Sequence, residues 1–345
     1  MSEQGGARNA VAEGIVPDLS VDLAPRNPRE LVLKNPVIPA SGCFGYGTEY
    51  SSFVDVERLG AFVSKGITPH PRSGNQMPRI AETPAGMLNA IGLQNPGLRG
   101  FIRKYPPIWE RWDVPAIVNV SAESIEDFAH MARELDEVPG ISALEINISC
   151  PNIHAGGFCF GWDADMSAEV TRAVRQATTL PVIVKLSPGA LDVVGIAQAV
   201  EGAGADAISL INTLVGMQID VRRRRPVLAN LTGGLSGPAV KPVAVRMVYQ
   251  VAAAVNVPVI GLGGIATLAD ALEFFMAGAS AIEVGTAIFT DPTVLTRLVD
   301  DLAEWMSANG VPSLRELVGV ANDRFTHPEG LTAVDAFDLM VDLGE

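Results

Sequence analysis

Short runs of aliphatic, mostly β-branched residues recur along the chain. Each gives way to a loop containing glycine, proline or asparagine and then to a stretch with apolar residues at three-and-four spacing. Eight runs stand out: Pro36–Ala40, Ala61–Lys65, Ala116–Val120, Ala143–Ile148, Val182–Leu186, Ala207–Ile211, Val257–Gly261 and Ala281–Gly285. Continuous apolar runs belong to strands covered on both faces, the condition of a parallel sheet flanked by helices. The helical spacing predicts helices over Ser124–Leu135, Ser167–Thr178, Leu191–Ala203, Lys241–Ala254 and Leu268–Ala277, with Ser124 and Ser167 as helix starts. Eight strands in this rhythm predict an α/β fold, a TIM (β/α)8 barrel with its active site at the carboxyl ends of the strands.

This pattern suggests three regions: a flexible amino-terminal tail over 1–16, one barrel over 17–321, and an acidic carboxyl-terminal appendage over 322–345. The first residues lack a basic segment followed by an apolar one and do not read as a signal peptide. No apolar run is long enough for a membrane span. Hydrophobic residues make up 48% of the 345 residues and charged ones 19%, which excludes a disordered chain. The formal net charge of −14 opposes a surface built to neutralise a phosphate backbone, so nucleic acid is not an expected partner. Three cysteines, Cys43, Cys150 and Cys159, form neither a disulfide framework nor a zinc spacing; no metal site is expected, and the composition fits a reducing cytoplasm.

Polar residues fall at the carboxyl end of nearly every strand run: Ser41, Lys65, Asn119, Asn147 with Cys150, Lys185, Asn212 with Thr213, Gly263 with Gly264, and Gly285 with Thr286. One alone caps a helix or satisfies a loop, but this many on a single rim describe a site. Lys65 and Lys185 lie in apolar strand context, where an unpaired ammonium is costly.

Gly261-Leu262-Gly263-Gly264-Ile265-Ala266 matches a dinucleotide fingerprint formally, yet six strand runs precede it and one follows, whereas the fingerprint opens its sheet. Its turn amides at a helix start still suit a phosphate, and with Gly285-Thr286 they give the barrel phosphate site of the seventh and eighth loops. Cys150 follows the fourth strand between Asn147 and Asn152, whose amides can hold a planar polar ligand beside the thiol. Cys43 and Cys159 read as inert apolar residues. Asn89-Ala90-Ile91-Gly92-Leu93-Gln94-Asn95-Pro96 is a loop in which glycine and asparagine permit close backbone approach.

Asn-Ala-Ile-Gly-Leu-Gln-Asn-Pro at 89–96, Asn-Ile-Ser-Cys-Pro-Asn at 147–152, Thr-Gly-Gly-Leu-Ser-Gly-Pro-Ala at 232–239 and Gly-Gly-Ile at 263–265 together resemble the dihydroorotate dehydrogenases, collinearly from about residue 20 to about residue 320. The resemblance is to the FMN-containing catalytic subunit of the class I, NAD-linked subtype. It implies oxidation of dihydroorotate to orotate in pyrimidine synthesis, and a partner subunit carrying FAD and a [2Fe-2S] cluster that passes electrons to NAD. It further implies an assembly of two catalytic and two electron-transfer subunits. By position, Cys150 matches the base that takes the C5 proton while the C6 hydride goes to the flavin. Asn89, Asn147, Asn152 and Asn212 match amides on the substrate ring, Thr213 and the loop Ala90, Ile91, Gly92 and Leu93 match further substrate contacts, and Lys65 matches a lysine between flavin and substrate carboxylate. Ser41, Asn119, Asn147, Lys185, Ile211, Gly237, Gly263, Gly264, Gly285 and Thr286 match FMN contacts, as does Lys65.

The quinone-linked membrane class of this family has serine in place of Cys150 and an amphipathic or membrane-spanning amino-terminal extension, neither of which is found here. The fumarate-linked soluble class shares the cysteine but differs over Leu231–Pro238. That class remains the alternative, together with another FMN barrel reductase acting on a dihydropyrimidine. A flavin-free phosphate-binding barrel explains the glycines but not the amides around Cys150. With no iron–sulfur cysteine cluster in this chain, the cluster falls to the partner. Arg222–Arg225 reads as a solvated loop in preference to an electrostatic dock.

Overall fold

The computed structural model describes residues 15–149 and 160–326. Eight parallel strands form one sheet: β1 Val37–Pro39, β2 Phe62–Val63, β3 Ala116–Val120, β4 Ala143–Asn147, β5 Val182–Lys185, β6 Ala207–Leu210, β7 Val259–Leu262 and β8 Ala281–Val284. Neighbours in the ladder are neighbours in sequence from β2 to β8, and β8 then pairs β1. The Gly60 amide donates to the Val37 carbonyl at 3.1 Å where β1 and β2 meet. The strand runs read from the sequence are these eight, each placed within about two residues.

The helices between them are α1 Ile125–Asp136, α2 Ala164–Ala177, α3 Val193–Gly202, α4 Lys241–Ala254, α5 Leu268–Ala277 and α6 Val294–Ala308. The starts of α1, α2, α3 and α5 are set by side chains that accept orphan amide protons. Ser124 accepts from the Asp127 amide at 3.1 Å, and Thr267 forms a reciprocal capping box with Asp270. The start of α2 differs from expectation: Asp163 caps it by accepting from the Met166 amide at 2.8 Å, one turn before Ser167. The Ser167 hydroxyl instead donates to the carbonyls of Asp163 and Phe160, inside the helix. Gly278 ends α5 at φ 117°, a left-handed conformation in which a side chain would be strained.

Every second strand residue faces outward against the helices, and the core between them is aliphatic with Phe62, Phe128, Phe274 and Phe275 fully buried. The inward set is aliphatic low in the barrel and polar near the carboxyl ends, where Asn119, Glu145, Lys185, Ser209 and Glu283 are all buried. The loops after β2 and β6 carry a four-stranded antiparallel sheet, in the order 214–216, 233–236, 86–89, 80–83, outside the barrel ladder. Arg222–Arg225 sits in a small hairpin, exposed throughout, with the Asp220 carboxylate accepting from the amides of Arg222 and Arg223 at 3.0 Å each. At the carboxyl-terminal side, the Asn322 amide donates to the carbonyls of Tyr249 and Ala277, and Arg324 donates to those of Ala252 and Val255.

Candidate active site

The strand ends and the antiparallel sheet enclose a cavity of about 550 Å3. The structure brings to its wall Ser41, Lys65, Asn119, Asn147, Lys185, Ile211, Asn212, Thr213, Gly237, Gly263, Gly264, Gly285 and Thr286, together with Asn89, Ala90, Ile91, Gly92 and Leu93 from the loop after β2. Cys150, Asn152 and Cys159 lie outside the described residues. Cys43 also meets the cavity, and burial pushes its thiol up to about 11, so it stays protonated and unreactive.

Backbone constraints fix the amides. Asn147 Oδ1 accepts from the Ser149 amide at 3.2 Å and from Asn212 Nδ2 at 3.4 Å, which leaves its NH2 group for a ligand. Asn212 Oδ1 accepts from the Thr213 amide at 2.8 Å, so this side chain too offers a donor. Asn89 Nδ2 donates to the Gly234 carbonyl at 3.3 Å and presents its oxygen. Close approach demands glycine here: a Cβ on Gly234 would stand 2.1 Å from Thr213 Oγ1, and one on Gly92, at φ 76°, would meet Asn75. Donors and an acceptor are therefore presented to the same cavity, a set that would suit a planar ligand with both carbonyl and N–H edges.

Lys65 is half-buried; burial, and then the Arg79 guanidinium, pull its ammonium below the ordinary lysine value. An anionic ligand group at this wall would restore it and gain a charge-assisted hydrogen bond.

The loops after β7 and β8 form a cradle suited to an anion. Gly263 and Gly264 have φ of 130° and 82°, and their amides donate to no backbone carbonyl among the described residues. A Cβ on Gly264 would stand 2.8 Å from Lys241 Cβ and 2.9 Å from the Gly237 carbonyl oxygen. Lys241 is held away by Asp270 at 2.8 Å and Glu273 at 2.6 Å, and Asp270 also accepts from the amides of Ala266 and Thr267. The turn is thus rigid before any ligand arrives. Backbone N–H groups in such a turn suit a phosphate.

At the floor of the cavity Lys185, which the sequence reading placed in the site, meets two glutamates that it did not. Lys185 Nζ donates to Glu283 Oε2 at 2.9 Å and approaches Glu145 Oε1 at 3.4 Å, and all three residues are at most 4% exposed. Glu145 also accepts from Asn119 Nδ2 at 2.6 Å and from Ser209 Oγ at 2.8 Å. Burial opposes the charge of Glu145, but Lys185 and these donors outweigh it and hold its carboxyl below the ordinary value. Burial, and then the Glu145 charge, push Glu283 up to about 8. The two carboxylates more than offset burial at Lys185 and keep its ammonium charged. The signal was in the sequence: Ala-Leu-Glu-Ile-Asn and Ala-Ile-Glu-Val each set one glutamate at an inward position of an otherwise apolar strand. Asn119 Oδ1 and Glu283 Oε1 are buried without a hydrogen-bond partner, and both residues line the cavity. Among the described residues no cluster of His, Cys, Asp or Glu could hold a metal ion, and no helix is long and apolar enough to cross a membrane.

An eight-stranded (β/α) barrel with a convergent polar cavity at its strand ends defines a barrel enzyme. The family model described as dihydroorotate dehydrogenase matches residues 27–306, and the chain belongs to this family of oxidoreductases. It is 54% identical over 303 residues to a protein of Trichlorobacter lovleyi, covering 88% of this chain and 98% of that one. It is 53% identical over 289 residues to a protein of Geobacillus kaustophilus, covering 84% and 92%, and 51% identical over 287 residues to one of Listeria monocytogenes, covering 83% and 94%. All three are named dihydroorotate dehydrogenase B (NAD(+)), catalytic subunit.

Proposed function

We propose that this chain is the FMN-bearing catalytic subunit of an NAD-linked dihydroorotate dehydrogenase of pyrimidine synthesis, acting in the cytoplasm with a second subunit that holds FAD and a [2Fe-2S] cluster. The observation that carries the reading is the joining, in one cavity, of a glycine-built anion cradle, a buried lysine and a set of amides facing an ammonium. The names of the relatives support the NAD-linked subtype over the fumarate-linked one, and "catalytic subunit" supports a partner. Two chains of each kind is the assembly this reading carries.

The residues present fit FMN. The Gly263–Gly264 and Gly285–Thr286 turns, with Gly237 beside them, suit its phosphate. Asn119 Oδ1, a buried acceptor without a partner, suits a ring N–H. Ser41, Lys65, Asn147, Lys185 and Ile211 complete the wall that would hold the ring. When bound, FMN supplies the acceptor for the hydride leaving C6 of dihydroorotate. Lys185, charged and fixed by the carboxyl groups of Glu145 and Glu283, sets a positive group where negative charge accumulates during that transfer.

The substrate's carboxylate suits Lys65, and its ring carbonyls suit the donors of Asn147 and Asn212. Asn89 Oδ1 accepts from a ring N–H. Asn152 and Thr213 add contacts, and the loop Ala90–Leu93 closes the edge. Cys150 follows strand β4 by three residues and is the base that takes the C5 proton. An unperturbed thiol ionises near pH 8.5, so flavin reduction should speed up as pH rises toward that value. Stopped-flow reduction of the FMN-loaded chain by dihydroorotate across that range tests the assignment; a rate that ignores pH there contradicts it.

A further inference from the structure

Two carboxyl groups converge on one ammonium at the floor of the cavity, and the described surroundings add no second cation to the cluster. Glu283 on β8 lies between β7, whose inward residues carry no charge, and β1, which carries none either. Facing it are Lys185, Glu145 and the neutral Cys43 thiol, with Asn119 and Ser209 bound to Glu145. Glu283 Oε2 is occupied by Lys185, while Oε1 is buried and has no donor. The two carboxyl groups share one ammonium, Glu145 Oε1 at 3.4 Å and Glu283 Oε2 at 2.9 Å from Lys185 Nζ, an arrangement in which they repel each other unless one carries a proton. Glu145 already accepts from Asn119, Ser209 and Lys185, so its lone pairs are satisfied as an ion. The proton therefore belongs on Glu283.

We propose that Glu283 is a positioning residue that holds a proton within the Glu145–Lys185–Glu283 cluster, so that the cluster is neutral beneath the flavin, and that it takes this proton up again on flavin reduction whenever alkaline pH has removed it. With Glu283 neutral, the Lys185 charge is balanced once, by Glu145. With Glu283 ionised the cluster carries net −1, and further negative charge on the ring above it is disfavoured. Reduction by hydride adds two electrons and one proton to the ring; under alkaline conditions a second proton then passes from solvent to Glu283. Reduction and Glu283 protonation favour each other by linkage.

The inference rests on FMN being the bound cofactor. Its test is the midpoint potential of the FMN in the intact chain between about pH 6 and pH 9.5, for the unaltered protein and for Glu283→Gln, which keeps the shape and cannot ionise. One extra proton per two electrons steepens the potential by about 30 mV per pH unit. The unaltered protein should show this steepening on the alkaline side, and Glu283→Gln should not. Equal slopes in the two proteins overturn the proposal, as does steepening that persists in the variant. A second measurement needs no variant: the reduced-minus-oxidised infrared difference spectrum at alkaline pH should gain a protonated-carboxyl C=O band that shifts in D2O. Its absence overturns the proposal even where Glu283→Gln does not fold. A chain that binds no FMN defeats the proposed function; bound FMN with no steepening defeats only the role of Glu283.

Discussion

The proposed function gives Lys65 and Cys150 the two charges that matter most to the substrate, a cation at its carboxylate and a thiolate formed as the base. Cys150→Ala should retain FMN and orotate while slowing flavin reduction by about 100- to 10,000-fold, the ordinary worth of a general base; stopped-flow bleaching measures it, and a normal rate removes the residue from the chemistry. Lys65→Met should weaken orotate binding by about 10- to 150-fold, since a hydrogen bond to a charged group is worth about 1.5–3 kcal/mol. Orotate titration of the oxidised protein reads that loss directly. Side chains of this kind were legible as residues because an ammonium or an amide is anomalous at the end of an apolar strand run. Glu145 and Glu283 were passed over although they are equally anomalous. Their meaning depends on meeting Lys185, Glu145 from the neighbouring strand 40 residues before it and Glu283 from a strand 98 residues after it, and no local pattern encodes that meeting.

Elements divide along similar lines. Barrel strands were legible to within about two residues, because burial on both faces leaves an uninterrupted aliphatic signature, and the helices α4 and α5 with their bounds, α4 opening on a proline in its first turn and α5 on a capping box. The antiparallel sheet over the cavity was not, since Gly86–Asn89 and Gly233–Ser236 have little apolar alternation and are ordered by pairing with each other. The start of α2 was misjudged because Ser167 and Asp163 both have capping side chains, and only tertiary contact decides between them. At this scale Gly264→Val should lower FMN affinity by about tenfold or more by displacing the turn at φ 82°, with much less effect on riboflavin, which lacks the phosphate. Parallel fluorescence titrations with the two flavins measure the difference. Asp136, at the end of α1, accepts from the Thr178 hydroxyl at 2.5 Å and the Thr179 amide at 2.6 Å. Although burial alone would raise it, these bonds hold its carboxyl below the ordinary value. The unfolded chain then binds the proton more readily, so this contribution is present above the unfolded pKa and lost as pH falls through the lower folded one. Asp136→Ala should cost about 1–3 kcal/mol at neutral pH, and less in acid, by denaturant unfolding.

The molecule as a whole is an acidic barrel with a polar cavity at its strand ends and an exposed arginine hairpin. Under the proposed function this chain oxidises the substrate and a partner delivers the electrons to NAD. The chain alone, loaded with FMN and reduced by dihydroorotate, should therefore stay reduced when NAD is added and reoxidise once the electron-transfer subunit is supplied. Direct reoxidation by fumarate would place it in the other soluble class. The most direct test of the central claim is the anaerobic absorbance spectrum of the purified FMN-loaded chain before and after dihydroorotate. Bleaching of the yellow flavin with formation of orotate is the expected result; a flavin that stays oxidised in the presence of dihydroorotate would contradict the assignment of this cavity to that reaction.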